Sequence, residues 1–165
     1  MRYQKIMENS ISVLYKVAAD SQQFGDAERL FREYAQSLPI DLGFQGFDHE
    51  LRIIPIQYNK PTGAVILAYV NGQAVACTGI RKLEDDIAEL KRMYVQPGFR
   101  GHKIAQHLMT QAIETATALH YKAIRLDTIP EMKAAYNLYS ANGFYEIAPY
   151  RFNPIEGAIY MERRL

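Results

Sequence analysis

The spacing of apolar residues predicts a strand, a helix and an irregular segment in the first third of the chain. Residues 12–19 alternate loosely between apolar and polar types, as a half-buried strand does. From Asp20 onward, apolar residues recur every three or four positions, which predicts an amphipathic helix that Pro39 ends. Residues 41–62 follow neither the strand period nor the helix period, and they contain more aromatic residues than a loop usually does. We expect this segment to be irregular, with room for a short helix, and to form a lid or a wall of a substrate site.

The rest of the chain predicts strands and helices in alternation. Asn71-Gly72 separates two β-rich stretches, and both residues tolerate positive φ, so we predict a tight hairpin there. Thr128 and Glu131 have the spacing of a capping box at the start of the last helix, and Gly143 has the position of its left-handed cap. The predicted strands are 63–70, 73–81, 87–95, 123–128, 144–147 and 158–164, and the predicted helices are 101–120 and 130–142.

This order of elements predicts an α/β (α+β) sandwich around one mixed, mainly antiparallel sheet with flanking helices. The chain has 165 residues, of which 48% are hydrophobic and 22% charged. This length and composition are typical of one globular domain, so we predict a single domain over residues 1–165.

Charge, hydropathy and the cysteine and histidine content argue against nucleic acid, a membrane and a metal. The net charge of +1 gives no reason to expect nucleic acid, which usually requires a basic face. The longest apolar run, residues 64–70, is too short to cross a bilayer, and the polar start makes a signal peptide unexpected. A single cysteine, Cys77, is expected in the core and suits a reducing cytoplasm. The four histidines lack metal-ligand spacing, so no metal is expected.

Residues 96–105 join a predicted strand to a predicted helix and carry an unusual helix start. Helices normally begin with a capping Ser, Thr, Asp or Asn and favour acidic residues in the first turn. Here the start offers Arg100, His102 and Lys103, with Gly101 allowing close backbone approach. Each such cation costs about 0.3–1 kcal/mol unless an anion binds there. A phosphate-bearing ligand explains the pattern, and a solvated basic helix start is the alternative. The P-loop and dinucleotide glycine motifs are absent, which disfavours a kinase or a dehydrogenase.

Two segments carry a specific resemblance. Residues 100–105, Arg-Gly-His-Lys-Ile-Ala, resemble the Gln/Arg-x-x-Gly-x-Gly/Ala acyl-CoA-binding signature of the GNAT superfamily of N-acetyltransferases. Residues 135–144 resemble the Ala-x-x-Leu-Tyr-x-x-x-Gly-Phe segment of the same superfamily. The order of elements matches that fold, a three-layer sandwich, so the resemblance runs over nearly the whole chain. Lys103 departs from the pattern, because it stands where the signature's inner Gly usually lies.

The resemblance implies that acetyl-CoA is the co-substrate. The backbone amides of residues 100–105 would hold its pyrophosphate, and the strand ending at Val95 would pair with its pantetheine arm. A splay between that strand and residues 123–128 would open the slot. The implied cofactor-binding residues are Met93, Tyr94, Val95, Arg100, Gly101, His102, Lys103, Ile104, Ala105 and Asn137.

The resemblance also implies two catalytic residues. Tyr139 would protonate the departing thiolate, for which a phenol is a suitable acid. Its helical spacing with Met132, Ala135 and Tyr136 leaves a core aromatic as the alternative. Glu89 resembles the position of the general base in several members, and an ion pair with Lys91 or Arg92 is the alternative reading.

The resemblance therefore implies direct transfer of an acetyl group from acetyl-CoA to a primary amine in a ternary complex. A small-molecule amine is the favoured acceptor, and a protein Lys or N-terminal acetyltransferase or a non-catalytic acyl-CoA sensor are the alternatives. The acceptor site would be walled by residues 41–62, Tyr34 and residues 150–154. Arg81, Lys91 and Arg151 either pair with a substrate carboxylate or are surface charges. A homodimer is compatible with the family.

Overall fold

Eight strands form one sheet in the computed structural model, which describes residues 4–8 and 11–165. In chain order the strands are β1 (Gln4–Glu8), β2 (Ile11–Val17), β3 (Ala64–Val70), β4 (Gln73–Glu84), β5 (Ile87–Val95), β6 (Ala123–Thr128), β7 (Tyr145–Ile147) and β8 (Ile159–Arg164). The helices are α1 (Ser21–Ser37), α2 (Phe47–Arg52), α3 (Ile54–Gln57), α4 (Ile104–Ala118) and α5 (Lys133–Ala141), with 3-10 turns at Leu42–Gln45 and Pro97–Phe99.

The sheet is mixed and mainly antiparallel. Its strand order is β1-β2-β3-β4-β5-β6-β8-β7, and among these neighbours β5 and β6 alone run parallel. Every residue of β3 is buried, as expected for a central strand that is covered on both faces. Asn71 and Gly72 both have positive φ between β3 and β4, which confirms the predicted hairpin.

Helices cover both faces of the sheet and bury two separate apolar cores. Because side chains alternate along a strand, Ile66 and Leu67 of β3 enter opposite cores. Leu67 packs in the core that includes Phe31 of α1. Ile66 packs in the core that includes Leu108 of α4. The α/β sandwich predicted from the order of elements is therefore confirmed, and so is the three-layer form that the resemblance implies. Cys77 is fully buried, as predicted.

Several predicted boundaries were wrong. Strand β1 was not expected, since an edge strand pairs on one side only and carries a weak hydrophobic signal. The 41–62 segment holds a 3-10 turn and two short helices. Helix α5 begins at Lys133 with no side-chain cap, and Thr128 lies in β6, so the predicted capping box does not form. Gly143 does take the predicted left-handed conformation after this helix.

A β-bulge in β5 sets the direction of its side chains. Cys77 of β4 pairs with Tyr94 and Gly79 pairs with Lys91, so β5 carries one extra residue between these pairs. Arg92 has a φ of 59° there. Lys91 consequently contacts Gln45 and Arg92 contacts Glu50, both in the segment between α1 and β3, which we call the α1–α2 layer together with α1. Met93 packs against the core on the other face of the sheet.

A buried ion-pair network joins α2 to the bulge. Arg92 donates through Nε to Oε2 of Glu50 at 2.8 Å and through Nη2 to Oε1 at 3.2 Å. The Tyr58 hydroxyl donates to the same carboxylate at 3.1 Å, and Arg81 lies 3.3 Å from it. Only 3% of Glu50 is exposed. Its charge is therefore compensated by protein groups rather than by water.

Replacing Glu50 is expected to destabilise the fold strongly. Glu50→Ala leaves the buried Arg92 guanidinium without its counter-charge, which costs about 3–5 kcal/mol. For a chain of this size the melting temperature falls by on the order of 10 °C. The control is Glu28→Ala, which removes an exposed ion pair to Arg32 and changes stability by less than about 1 kcal/mol. Equal melting temperatures of the two variants would contradict a stabilising role of the network.

Candidate functional site

The two parallel strands separate and open a groove. β5 and β6 pair only from Ile87 with Ala123 to Glu89 with Arg125, after which they diverge. A groove of about 510 Å³ lies between the end of β5, the start of α4 and α5. The structure thus contains the splay that the resemblance implies.

The start of α4 lacks a capping side chain. Helix α4 begins at Ile104, and Lys103 in the cap position has no side chain that accepts from the first-turn amides. Gly101 and Lys103 have φ of 83° and 58°. These turns and the helix dipole create a concave, positive site in which backbone N–H groups can bind an anion. The Arg100 side chain folds back and donates to the Val95 carbonyl at 3.1 Å.

Most of the predicted cofactor-binding residues border this groove. They are Met93, Tyr94, Val95, Arg100, Gly101, Lys103, Ile104 and Ala105. His102 and Asn137 do not line it. The buried Nδ1 of His102 has no hydrogen-bond partner within the described residues. Asn137 is exposed on α5. Their cofactor roles stay predictions.

The backbone conformation of Lys103 explains why the signature usually has a glycine at this position. A left-handed backbone is unfavourable for residues with a Cβ and is readily adopted by glycine. A glycine at this position would relieve backbone strain. The contribution of the signature glycine is therefore conformational. Lysine retains the turn at an energetic cost and places a cation beside the proposed phosphate position.

A small polar cavity adjoins the groove. Tyr34, Met93 and Met132 line both spaces, so the two lie next to each other. The cavity offers about 50 Å³ to the centres of water molecules, room for only a few of them. Leu42 and Asn153 also line it. The walls expected from residues 41–62, Tyr34 and residues 150–154 therefore meet around one cavity.

Tyr139 lies on the cavity side of this junction. Only 7% of it is exposed, and its ring contacts Phe144. Burial raises the pKa of its hydroxyl, and Tyr34 and Asp127 raise it further. The hydroxyl remains protonated at neutral pH and has no hydrogen-bond partner in the described part of the chain. It can therefore donate to an atom of a bound substrate, although the raised pKa makes it a weaker acid than a free phenol.

Glu89 is held by several donors. It is fully buried, forms an ion pair with Arg81 at 2.9 Å and another with Arg151, and accepts from the Tyr150 hydroxyl at 2.8 Å. Burial raises the pKa of its carboxyl, but the neighbouring cations and the Tyr150 hydroxyl outweigh burial and lower the pKa. This geometry favours the ion-pair alternative, with arginine partners different from those expected. A role as general base stays a prediction.

Lys91 is a buried amine that lines the cavity. Its Nζ donates to Oε1 of Gln45 at 3.0 Å, and 5% of the residue is exposed. Burial lowers its pKa to about 7, and Arg92 contributes in the same direction, while Glu89 and Asp127 oppose them. Lys91 therefore changes charge near neutral pH.

Sequence reasoning missed three charged or polar residues of this region. Glu50 and Gln45 lie in the aperiodic 41–62 segment, where no pattern distinguishes one residue from another. Asp127 lies in β6 and lines the cavity, accepting from Asn153 at 3.1 Å. No sequence signal distinguished it, because an acid between Leu126 and Thr128 in an alternating strand equally suits a solvent-facing position.

Two other kinds of site are absent from the described residues. No group of three or more His, Cys, Asp or Glu side chains could hold a metal ion there. None of the helices in residues 4–8 and 11–165 combines the length and apolar character needed to span a bilayer.

The chain is similar in sequence to known acetyltransferases. Residues 27–144 match the model of the Acetyltransferase (GNAT) family. An uncharacterized N-acetyltransferase from Schizosaccharomyces pombe is 34% identical over 142 residues, covering 85% of this chain and 87% of that relative. An N-acetylaspartate synthetase from Danio rerio is 38% identical over 96 residues, covering 57% of this chain and 34% of that protein.

The fold is also similar to solved structures. An acetyltransferase from Streptococcus agalactiae superimposes with a TM-score of 0.76 and 21% identity, covering 93% of this chain and 98% of that one. At this identity the comparison shows a shared fold.

Substitution of Lys103 should separate backbone strain from charge. Lys103→Gly relieves the left-handed strain, so we expect a gain of about 1 kcal/mol in unfolding free energy. Lys103→Ala keeps the strain and should not be stabilised. Both variants lose the cation and should bind acetyl-CoA about two- to fivefold more weakly. Thermal unfolding and calorimetric titration measure the two effects, and a Gly variant no more stable than the Ala variant would refute the strain argument.

The lowered pKa of Lys91 should make the difference in unfolding free energy between wild type and a Lys91 variant depend on pH. The folded pKa is about 7 against 10.5 for the ordinary side chain, so between these values the unfolded chain binds the extra proton. The contribution of Lys91 to stability therefore rises with pH across that window, by about 2–3 kcal/mol between pH 6 and pH 9. Lys91→Met removes this contribution, so its stabilisation relative to wild type is largest below pH 7 and shrinks as pH rises.

Chemical denaturation at pH 6 and pH 9 measures this difference. The matched control is Lys122→Met, which replaces an exposed lysine. We expect its effect on stability to be the same at both pH values. A Lys91→Met variant that behaved like this control would show that Lys91 keeps an ordinary pKa.

Proposed function

We propose that this chain, which belongs to the acetyltransferase (GNAT) family, transfers an acetyl group from acetyl-CoA to the primary amine of a small molecule. The observation that carries this proposal is that two spaces lie side by side and share three wall residues. A groove beside an uncapped helix start meets a small polar cavity at Met93 and Tyr34, with Tyr139 on the cavity side. A thioester lying at that junction would face both the amine and the tyrosine hydroxyl.

The residues around the groove fit a CoA thioester. Acetyl-CoA supplies an acyl group on a thiol leaving group. The first-turn amides of α4 offer free donors for its pyrophosphate, and Gly101 and Lys103 shape the turn that exposes them. The end of β5 borders the groove because β6 has diverged from it, so its backbone is available to an extended ligand.

The proposed chemistry is a direct transfer. A neutral amine nitrogen attacks the thioester carbonyl carbon, the C–N bond forms, and the C–S bond breaks. The amine gives up one proton and the departing sulfur gains one, which leaves an amide and free CoA. We assign the donation to sulfur to Tyr139, whose hydroxyl stays protonated at neutral pH. A free alkylamine has a pKa near about 10.4, so the acceptor must lose a proton before attack.

The bulge in β5 supports stabilisation of the tetrahedral intermediate. The extra residue of a bulge disrupts the ladder and leaves backbone groups without a cross-strand partner. This interruption falls at Arg92 and Met93, where groove and cavity meet. Backbone amides there would lie beside the developing oxyanion, an interaction that contributes strongly in acyl transfer.

The size of the cavity favours a small acceptor over a protein. A protein acetyltransferase needs an open groove for a peptide segment, whereas this cavity has room for a few water molecules. The Danio rerio relative is named for the synthesis of an acetylated amino acid, which also supports a small amine. A non-catalytic acyl-CoA sensor would not need Tyr139 at the junction.

Tyr139→Phe tests the proposed catalytic acid. We expect turnover to fall by about 100-fold, at the low end of the range for general acids because the raised pKa weakens the donor. Affinity for acetyl-CoA should stay unchanged, since Tyr139 lines the cavity and not the groove. Thiol release and calorimetric titration measure the two quantities.

Tyr136→Phe is the matched control on the same helix. Its hydroxyl donates to Glu146 at 2.8 Å, outside both spaces, so turnover should not change. Equal turnover of wild type and Tyr139→Phe would rule out the acid role. Failure of wild type to bind acetyl-CoA would refute the proposed function itself.

A further inference from the structure

The charges around the cavity do not balance. Arg81, Arg92 and Arg151 share two buried carboxylates, those of Glu50 and Glu89. This leaves one positive charge in excess within the network, and Lys91 and Asp127, which line the adjoining cavity, add one charge of each sign. Buried charge is costly unless a partner of opposite sign lies close. The region therefore favours a ligand group of negative charge close to one of its cations.

Lys91 is the cation best placed to receive that charge. The three arginines are engaged by the two glutamates, whereas Lys91 forms no ion pair with any carboxylate of the described residues. Among the described residues, its hydrogen bond goes to the neutral amide oxygen of Gln45. It lines the cavity directly, unlike Arg81 and Arg151. A ligand anion in the cavity would supply the missing counter-charge.

Asp127 provides the opposite charge in the same cavity. Its Oδ2 accepts from Asn153, and its Oδ1 accepts no hydrogen bond from the part of the chain that the structure describes. The carboxylate is close enough to raise the pKa of Lys91 and of Tyr139. An acid beside Tyr139 is well placed to attract a positively charged amine toward the thioester position.

We propose that the acceptor is a small amino acid, a molecule with a primary amine and a carboxylate, whose carboxylate pairs with Lys91 and whose ammonium pairs with Asp127. This inference rests on the proposed function and specifies its substrate class. A zwitterion matches the cavity because Lys91 and Asp127, one cation and one anion, line it without an ion pair to any residue that the structure describes. A peptide segment or a simple alkylamine would bring no carboxylate to form an ion pair with Lys91.

The small volume restricts the side chain as well. With about 50 Å³ open to water centres, the cavity suits amino acids with few side-chain atoms. Arg92 also lines the cavity, but its guanidinium is bound through two nitrogens to Glu50. Recognition of the carboxylate is therefore assigned to Lys91 alone.

The test compares acceptors that differ only in the carboxylate. Wild-type enzyme is assayed with saturating acetyl-CoA against glycine and glycinamide, and against alanine and ethylamine. We expect kcat/KM to be at least about 30-fold higher for the acid of each pair, since leaving a buried charge unpaired reduces binding strongly. The difference should appear mainly in KM.

Three variants assign the effect to residues. Lys91→Met should abolish the preference for the carboxylate, while Lys91→Arg should restore part of it by keeping the charge. Asp127→Asn should raise KM for both members of each pair, because both carry the amine. Affinity for acetyl-CoA should be unchanged in all three, since neither residue lines the groove. Lys82→Met, an exposed lysine on β4, is the control for loss of one positive charge.

The outcomes separate the two proposals. Acetylation of amides and alkylamines as efficient as that of amino acids would overturn the inference and leave the proposed function standing. A preference for amino acids that persists in Lys91→Met would overturn the assignment to Lys91. Acetyl-CoA binding without turnover on any amine would instead refute the proposed function. The wild-type acceptor pairs keep the inference falsifiable even if Lys91→Met does not fold.

Discussion

The buried ion pair between Glu50 and Arg92 is the interaction on which the site depends. Arg92 occupies the bulge of β5 with a left-handed backbone, which is unfavourable for a residue with a Cβ. Glu50 binds its guanidinium through both carboxylate oxygens and so compensates this cost. The pair also attaches α2 to the sheet, which places the 41–62 segment over the cavity. One interaction therefore fixes both the irregular strand and the wall opposite it.

The bulge distributes side chains between the two substrate spaces. Without the extra residue, alternation along β5 would place Lys91 and Arg92 on opposite faces. With it, both contact the α1–α2 layer beside the cavity, while Met93 borders groove and cavity together. β6 diverges from β5 after the pair of Glu89 with Arg125, so the sheet opens along the part of β5 that carries the bulge. Acyl donor and acceptor would consequently meet at a defect in the sheet rather than on a loop.

The site also illustrates a conflict between stability and function. Lys91 is buried with a depressed pKa, and Lys103 occupies a backbone region that favours glycine. Each residue lowers the stability of the folded chain, and each places a positive charge beside a space that would receive an anion. Such locally unfavourable residues are typical of binding sites, where a ligand supplies the missing interaction.

The sequence by itself determined the layered fold, the hairpin at Asn71-Gly72 and the basic, uncapped start of α4, because these follow from local periodicity, turn chemistry and motif spacing. It also indicated Tyr139 through its motif. Only the tertiary structure decided the bulge at Arg92, the partners of Glu89 and the placement of Lys91 and Asp127 around one cavity. Those features join residues distant along the chain, and hydrophobic patterning reports burial without saying which buried charge lies next to which.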